Sequence, residues 1–246
     1  MNADLVFGIH AVSALFERAP EDVLELFILK DKDDQRLQPL LKFARDFGVS
    51  VQYCNRRALD EKVNGAQHQG VVARARAQQT GNEQDLARIV SEQSSPFILI
   101  LDGITDPHNL GAILRSADAA GVHAVIAPKD RSVKLTAVVR KVACGAAESV
   151  PFINVTNLAR TIRQLQEAGV WVVGAAGETD TTIYQAELKG PIALAMGAEG
   201  DGLRRLTKES CDSLVKIPMF GAVSSLNVSV ATGICLYEAV RQRQAK

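Results

Sequence analysis

The sequence predicts an α/β protein in two parts, with a mainly parallel sheet in the second. Three observations carry that reading. Short apolar runs alternate with stretches of helical periodicity along the whole chain. Residues 97–101 (FILIL) are apolar at every position, as in a strand covered on both faces of a parallel sheet. Loops rich in Gly, Pro, Ser and Asn follow several of the later runs, where open α/β sheets hold their ligands.

Residues 6–17 read as an amphipathic helix with Ile9, Val12 and Phe16 on one face. Residues 24–29 form an apolar strand. Residues 37–47 place Leu40, Leu41, Ala44 and Phe47 at three- and four-residue steps, and Gly48 ends that helix. A strand at 49–53, a short helix from Leu59 and an alternating strand at 70–75 complete a small α/β domain over residues 1–77. Residues 78–95 are poor in large apolar side chains and read as a linker with one helical turn around 86–90. The second domain, 96–246, has apolar strands at 97–101, 122–127, 170–175, 192–196 and 214–217. Its helices fall at 110–120, 158–168, 203–209 and 228–243.

Composition excludes several classes. With 47% apolar and 23% charged residues, the chain is neither disordered nor a coiled-coil rod. Lys and Arg number 28 and Asp and Glu 28, which disfavours binding of nucleic acid by bulk charge. Aromatics at 5% disfavour a base-stacking platform. No run approaches the roughly 20 apolar residues that cross a bilayer, and the first ten residues lack an export signal, so a cytoplasmic protein without a membrane partner is expected. Cys54, Cys144, Cys211 and Cys235 are scattered and read as reduced thiols, Cys144 as a buried one. His10, His68, His108 and His123 lack metal-ligand spacing, His68 is placed on the surface, and no metal is expected.

Three loops carry chemistry. The first, 102–111 (DGITDPHNLG), leads into a helix with Asn109 as its N-cap and Leu110, Ile113, Leu114 and Ala117 on its buried face. Arg115 then points away from its own core, as either an ordinary exposed arginine or a phosphate or interface contact. The second is 195–202 (AMGAEGDG), whose glycines let a backbone approach a ligand. Its G-x-x-G-x-G spacing is neither a dinucleotide fingerprint nor a Walker loop, and a strand-to-helix bend explains it equally well. The third, 217–230, breaks a strand at Pro218 and enters the last helix through Ser225 and Asn227, which cap it, offer groups to a ligand, or both. Leu226, Val230, Ile234 and Tyr237 read as that helix's packing stripe. Lys129, Arg131, Lys134, Arg140 and Lys141 form either a phosphate-contact patch or a solvated face.

Taken together, DPHNLGAILRSADAAG, ALAMGAEGDGL and IPMFGAVSSLNVSVATGICLYEA resemble the three ordered motifs of the SpoU family of RNA ribose 2′-O-methyltransferases, in the SPOUT superfamily. FGIHAVSALFERAP and HQGVVARA resemble the small, L30e-like RNA substrate-binding domain of some members. The whole chain looks close to the branch acting on a guanosine ribose of bacterial 23S rRNA. The resemblance implies a trefoil knot in the C-terminal domain, which periodicity does not show. It implies S-adenosylmethionine as co-substrate, held by Gly197, Gly200, Ile217, Met219 and Leu226. Asn109, Arg115, Glu199, Ser225 and Asn227 would be the catalytic set. A homodimer with its active sites at the interface is implied as well.

The implied chemistry has physical constraints. A ribose 2′-hydroxyl attacks only once its proton is removed or strongly polarised. Deprotonating a free guanidinium at neutral pH costs roughly 9 kcal/mol. Arg115 is therefore read as a charged group that holds a phosphate and stabilises a developing alkoxide, with Glu199 or a phosphate oxygen taking the proton. Only RNA carries the 2′-hydroxyl, so DNA is excluded as substrate. Arg56, Arg57, Lys62, Arg74 and Arg76, with the basic residues of 129–141, are the expected RNA contacts. The competing readings are a tRNA ribose methyltransferase and a non-catalytic RNA-binding or ribosome-assembly protein. A nucleotide enzyme would rest on the glycine loop alone.

Overall fold

The computed structural model describes residues 3–30, 34–76 and 80–244. The elements run β1 (Ala3–Phe7), α1 (Ile9–Arg18), β2 (Val23–Leu29), α2 (Gln38–Asp46), β3 (Ser50–Cys54), α3 (Arg56–Lys62), β4 (Val71–Arg76) and α4 (Glu83–Glu92). There follow β5 (Phe97–Asp102), α5 (Pro107–Ala119), β6 (Ala124–Pro128), α6 (Ala137–Ala143), α7 (Ala146–Ser149), β7 (Phe152–Val155) and α8 (Leu158–Glu167). The chain ends with β8 (Trp171–Ala175), β9 (Ile192–Gly197), α9 (Arg205–Ser210), β10 (Ser213–Val215) and α10 (Val228–Gln244). They form two compact units, one of Met1–Gln79 with Leu135–Ser149, the other of Thr80–Lys134 with Val150–Lys246. The expected boundary at residues 77 and 78 lies outside the described residues.

In the first unit the strand order is β1-β4-β2-β3. β4 is antiparallel to β1 and β2, while β2 and β3 are parallel. Alternation along the strands gives the sheet two apolar faces. Leu26, Ile28, Val71 and Ala73 pack with Val12, Leu15 and Phe16 of α1 and Leu40 of α2. Phe7, Phe27 and Val72 pack with Leu59 and Val63. Val6 and Phe7 belong to a strand rather than to the expected helix. Gly8, at φ +94°, turns the chain, and the helix begins at Ile9.

Residues 135–149 complete this unit, and the unit as a whole revises three expectations. The Thr136 side chain caps α6 by accepting from Val139 N–H. Arg140 is buried instead of joining a basic surface patch. Its Nη1 donates to Glu148 Oε1 at 2.8 Å, and Nη2 lies 3.8 Å from Asp4 Oδ2. Its apolar neighbours Val139 and Ala143 turn that helix face inward and carry the arginine with them. Burial raises the carboxyl pKa of Glu148 above the ordinary value, with Arg140 opposing the shift. Cys144, expected buried, is exposed, because it takes the left-handed conformation that ends α6. His68, expected on the surface, is buried, with its ring nitrogens bonded to Asp60 and to the Gly70 N–H.

The second unit has six parallel strands in the order β10-β8-β9-β5-β6-β7. Its central strand β5 is buried along its full length, as its unbroken apolar run requires. Residues 86–90 were expected to carry one turn, but they lie within the ten-residue α4. Asn82 and Asp85 form its capping box, and Leu86, Ile89 and Val90 enter the core. The short strand β7 was not expected. Its four residues include Asn154, which breaks the apolar run. α10 buries Val228, Thr232, Cys235, Leu236 and Ala239, whereas Val230 and Tyr237 are about half exposed. Apolar residues surround the first turns of this helix, so periodicity alone does not choose the buried side. No helix among the described residues is long and apolar enough to cross a membrane.

Candidate active site

The site is built at the carboxyl ends of β8, β9 and β10. β9 ends at Gly197, and the chain then folds back on itself. Ala198 and Gly202 exchange N–H···O bonds of 3.0 and 2.9 Å. Gly200 and Gly202 take φ values of +84° and +67°. A Cβ on Gly197 would stand 1.9 Å from the Gly202 carbonyl carbon, so only glycine fits there. At the end of β5, the buried Asp102 accepts from Arg204 N–H at 2.9 Å and ties the end of this loop to the neighbouring strand. Asp102 was not singled out from the sequence. The available signal was an acid closing a wholly apolar strand, because a carboxylate is buried only against a partner.

The glycine loop forms one wall of a cavity of about 760 Å³. Gly197, Gly200, Ile217, Met219 and Leu226 all line it, as do Glu199 and Ser225. The second and third sequence motifs therefore meet around one space. Among the described residues the backbone N–H groups of Ile217, Met219 and Leu226 make no backbone hydrogen bond.

The first motif joins through Asn109. Asp106, not Asn109, is the N-cap of α5, accepting from His108 N–H, with Pro107 as the first helical residue. Asn109 therefore lies inside the first turn, and its side chain is used elsewhere. Its Nδ2 donates to Glu199 Oε2 at 3.3 Å, and its Oδ1 accepts from Asn227 Nδ2 at 2.9 Å. Asn227 Nδ2 also lies 3.5 Å from Glu199 Oε2. Asn227 Oδ1 accepts from Ser229 N–H at 3.0 Å, so this residue caps α10 and reaches the cluster at once. Arg115 is exposed on α5 and does not line the cavity.

Burial pushes the thiols of Cys211 and Cys235 up to about 12, which leaves them inert near neutral pH. No group of three or more His, Cys, Asp or Glu among the described residues is placed to hold a metal ion.

A parallel sheet with a small-molecule cavity over its carboxyl edge, and a glycine loop for one wall, defines a ligand-binding α/β protein. The chain belongs to the SpoU rRNA methylase family. That family's profile matches residues 96–237, and a profile described as RNA 2′-O ribose methyltransferase substrate binding matches residues 5–81. The chain is 63% identical over 242 residues to the 23S rRNA (guanosine-2′-O-)-methyltransferase RlmB of Shewanella oneidensis, covering 98% of both chains. It is 62% identical over 241 residues to the protein of the same name from Escherichia coli K12, covering 98% of this chain and 99% of that one. Among solved structures, the SpoU methyltransferase AviRb of Streptomyces viridochromogenes in complex with AdoMet superposes with a TM-score of 0.80 at 26% identity. That match covers 98% of this chain and 90% of AviRb.

Proposed function

We propose that this protein transfers the methyl group of S-adenosylmethionine to the ribose 2′-oxygen of a guanosine in 23S rRNA. The observation that carries the reading is the convergence of all three motifs, with the Asn109–Glu199–Asn227 cluster beside one cavity. The names of the two relatives and the ligand of AviRb support it.

The residues present fit the co-substrate. The cavity has the size of a small-molecule site. Met196, Leu203, Ile217 and Leu226 offer apolar surface to a base, and the amides of Ile217 and Met219 offer donors. When bound, S-adenosylmethionine supplies an electrophilic methyl group on a cationic sulfur. Gly197 keeps the loop tight, and Gly200 leaves space at the wall. Asn227 and Asn109 act as a directional relay of amides that orients Glu199. Glu199, as an acceptor, or a phosphate oxygen takes the 2′-hydroxyl proton. Ser225 holds the ribose at the entrance. Arg115 binds the adjacent phosphate and stabilises the alkoxide as it forms.

Arg115 plays that part in a two-fold homodimer, where it reaches the partner's site across the interface. The half-exposed Val230 and Tyr237 on α10 support such a contact. The C-terminal unit carries the trefoil knot of its family, and the protein acts in the cytoplasm. Residues 1–77 bind the RNA. Arg56, Arg57, Lys62, Arg74 and Arg76 contact phosphates, aided by Lys129, Arg131 and Lys134, all of them exposed.

Mapping 2′-O-methyl positions on rRNA from cells lacking the protein tests the assignment. One guanosine of 23S rRNA should lose its methyl group, and the purified protein with S-adenosylmethionine should restore it. Loss of a tRNA methyl group instead, or of none, would overturn it.

A further inference from the structure

The first unit holds a second cavity, of about 250 Å³, which the methyl-transfer chemistry does not use. Arg56, Asp60, Gln67 and His68 line it, together with Gly65 and Gly70. At roughly 30 Å³ per water it has room for about eight waters, comparable to one purine ring system.

Its polar groups are fixed in place. His68 is only 5% exposed. The Gly70 N–H donates to His68 Nδ1 at 3.0 Å, so that nitrogen carries no proton and Nε2–H is the donor. Nε2 lies 3.1 Å from Asp60 Oδ1 and donates to it. The carboxylate is thereby held in one orientation. Its other oxygen, Oδ2, is 3.9 Å from Arg56 Nε, beyond a direct hydrogen bond. The adjoining loop passes through left-handed backbone at Asn64, Gly65, Gln69 and Gly70. Such conformations at Asn and Gln persist only where surrounding contacts enforce them. A buried histidine thus serves to aim a carboxylate at an open cavity.

We infer that this cavity receives one unstacked guanine of the RNA substrate, with its Watson–Crick edge on Asp60. Of the four RNA bases, guanine alone presents two adjacent donors, N1–H and the 2-amino group, that match a carboxylate. Adenine and cytosine place an acceptor beside the amino group, and uracil has a single N–H between two carbonyls. RNA-binding proteins commonly read unpaired bases on that edge and stack them on arginine planes. Arg56, exposed at the rim, supplies such a plane or a phosphate contact. The inference rests on the rRNA reading above. It gives the first unit a base-specific role in choosing the substrate.

The test uses the full chain and a 23S rRNA fragment that the wild-type protein methylates. Inosine, which lacks the 2-amino group, replaces guanosine sparsely through the fragment. At one unpaired guanosine, distinct from the methylated one, inosine should weaken wild-type binding by about tenfold. Asp60→Asn keeps an oxygen for His68 but turns a donor toward the base. It should lose that discrimination and bind the unmodified fragment about tenfold more weakly. 6-Thioguanosine at the sensitive position should crosslink within residues 56–70, a readout that holds even if the variant folds poorly. An inosine-insensitive wild type, a wild-type interference pattern in Asp60→Asn, or a crosslink elsewhere would overturn the pocket alone. A wild type that methylates no rRNA fragment would overturn the activity and the pocket with it.

Discussion

The molecule contains two polar clusters of opposite kinds. In the first unit, Arg140 and Glu148 face each other with side chains 3% and 0% exposed. In the second, Asn109, Glu199 and Asn227 form a hydrogen-bonded set beside an open cavity. The first has given up its water and finds its partners within the fold. The second keeps contact with solvent, and a ligand can replace that water. Polar side chains brought together by folding are thus sealed from water in one place and left open to a ligand in another, and burial tells the two apart.

The sharpest way to break this contrast is to unpair the buried cluster. Arg140→Met leaves Glu148 buried without its partner, and the first unit should lose about 3–5 kcal/mol of stability. Arg140→Met with Glu148→Leu should recover most of that loss, because two apolar side chains need no partner. Thermal melting followed by a probe in the first unit reads both. A single variant that melts like the wild type would show that the pair is better hydrated than it looks.

Asn109→Ala and Glu199→Ala should do the reverse. Methyl transfer should fall by about 10²–10³-fold, equivalent to about 2.7–4 kcal/mol in the barrier, with melting almost unchanged. Single-turnover label transfer to rRNA measures this. A variant that loses stability and keeps its rate would move its residue from the chemistry to the scaffold.

A smaller effect tests the segment that carries Arg140. Thr136→Ala removes the α6 cap and should cost about 1 kcal/mol in the same melting assay.

The smallest effect concerns pH in the second unit. Burial, with the nearby Arg243 charge, depresses the pKa of His123, whose Nδ1 accepts from Phe97 N–H. A depressed pKa contributes stability that is present above the unfolded value of about 6.5 and is lost as pH falls through the folded value. Between pH 7 and pH 5 the wild type should therefore lose more stability than His123→Gln. Equal losses would remove His123 from the account.

Much of this arrangement was legible in the residues. Every long apolar run became a strand, because an all-apolar segment of five or six residues has few homes other than a covered sheet. The glycine loop was legible as a bend, but its closure on Gly202 was not, since that depends on a backbone approach no spacing encodes. Asn109 passed for a cap because Asn and Asp share cap chemistry. Asp106, one residue before the proline, takes the position and frees the amide. Arg140 was misplaced among its basic neighbours because charge is read along the chain while burial is decided by packing. The buried side of α10 was hidden for the same reason.

The first unit borrows residues 135–149 from far along the polypeptide. During synthesis its amino-terminal strands must wait for more than half of the protein to emerge before Arg140 can meet Glu148 and Asp4. A gene fragment stopping at residue 79 would encode an unfinished folding body. Grafting this unit onto another enzyme would mean transplanting two separate stretches of coding sequence.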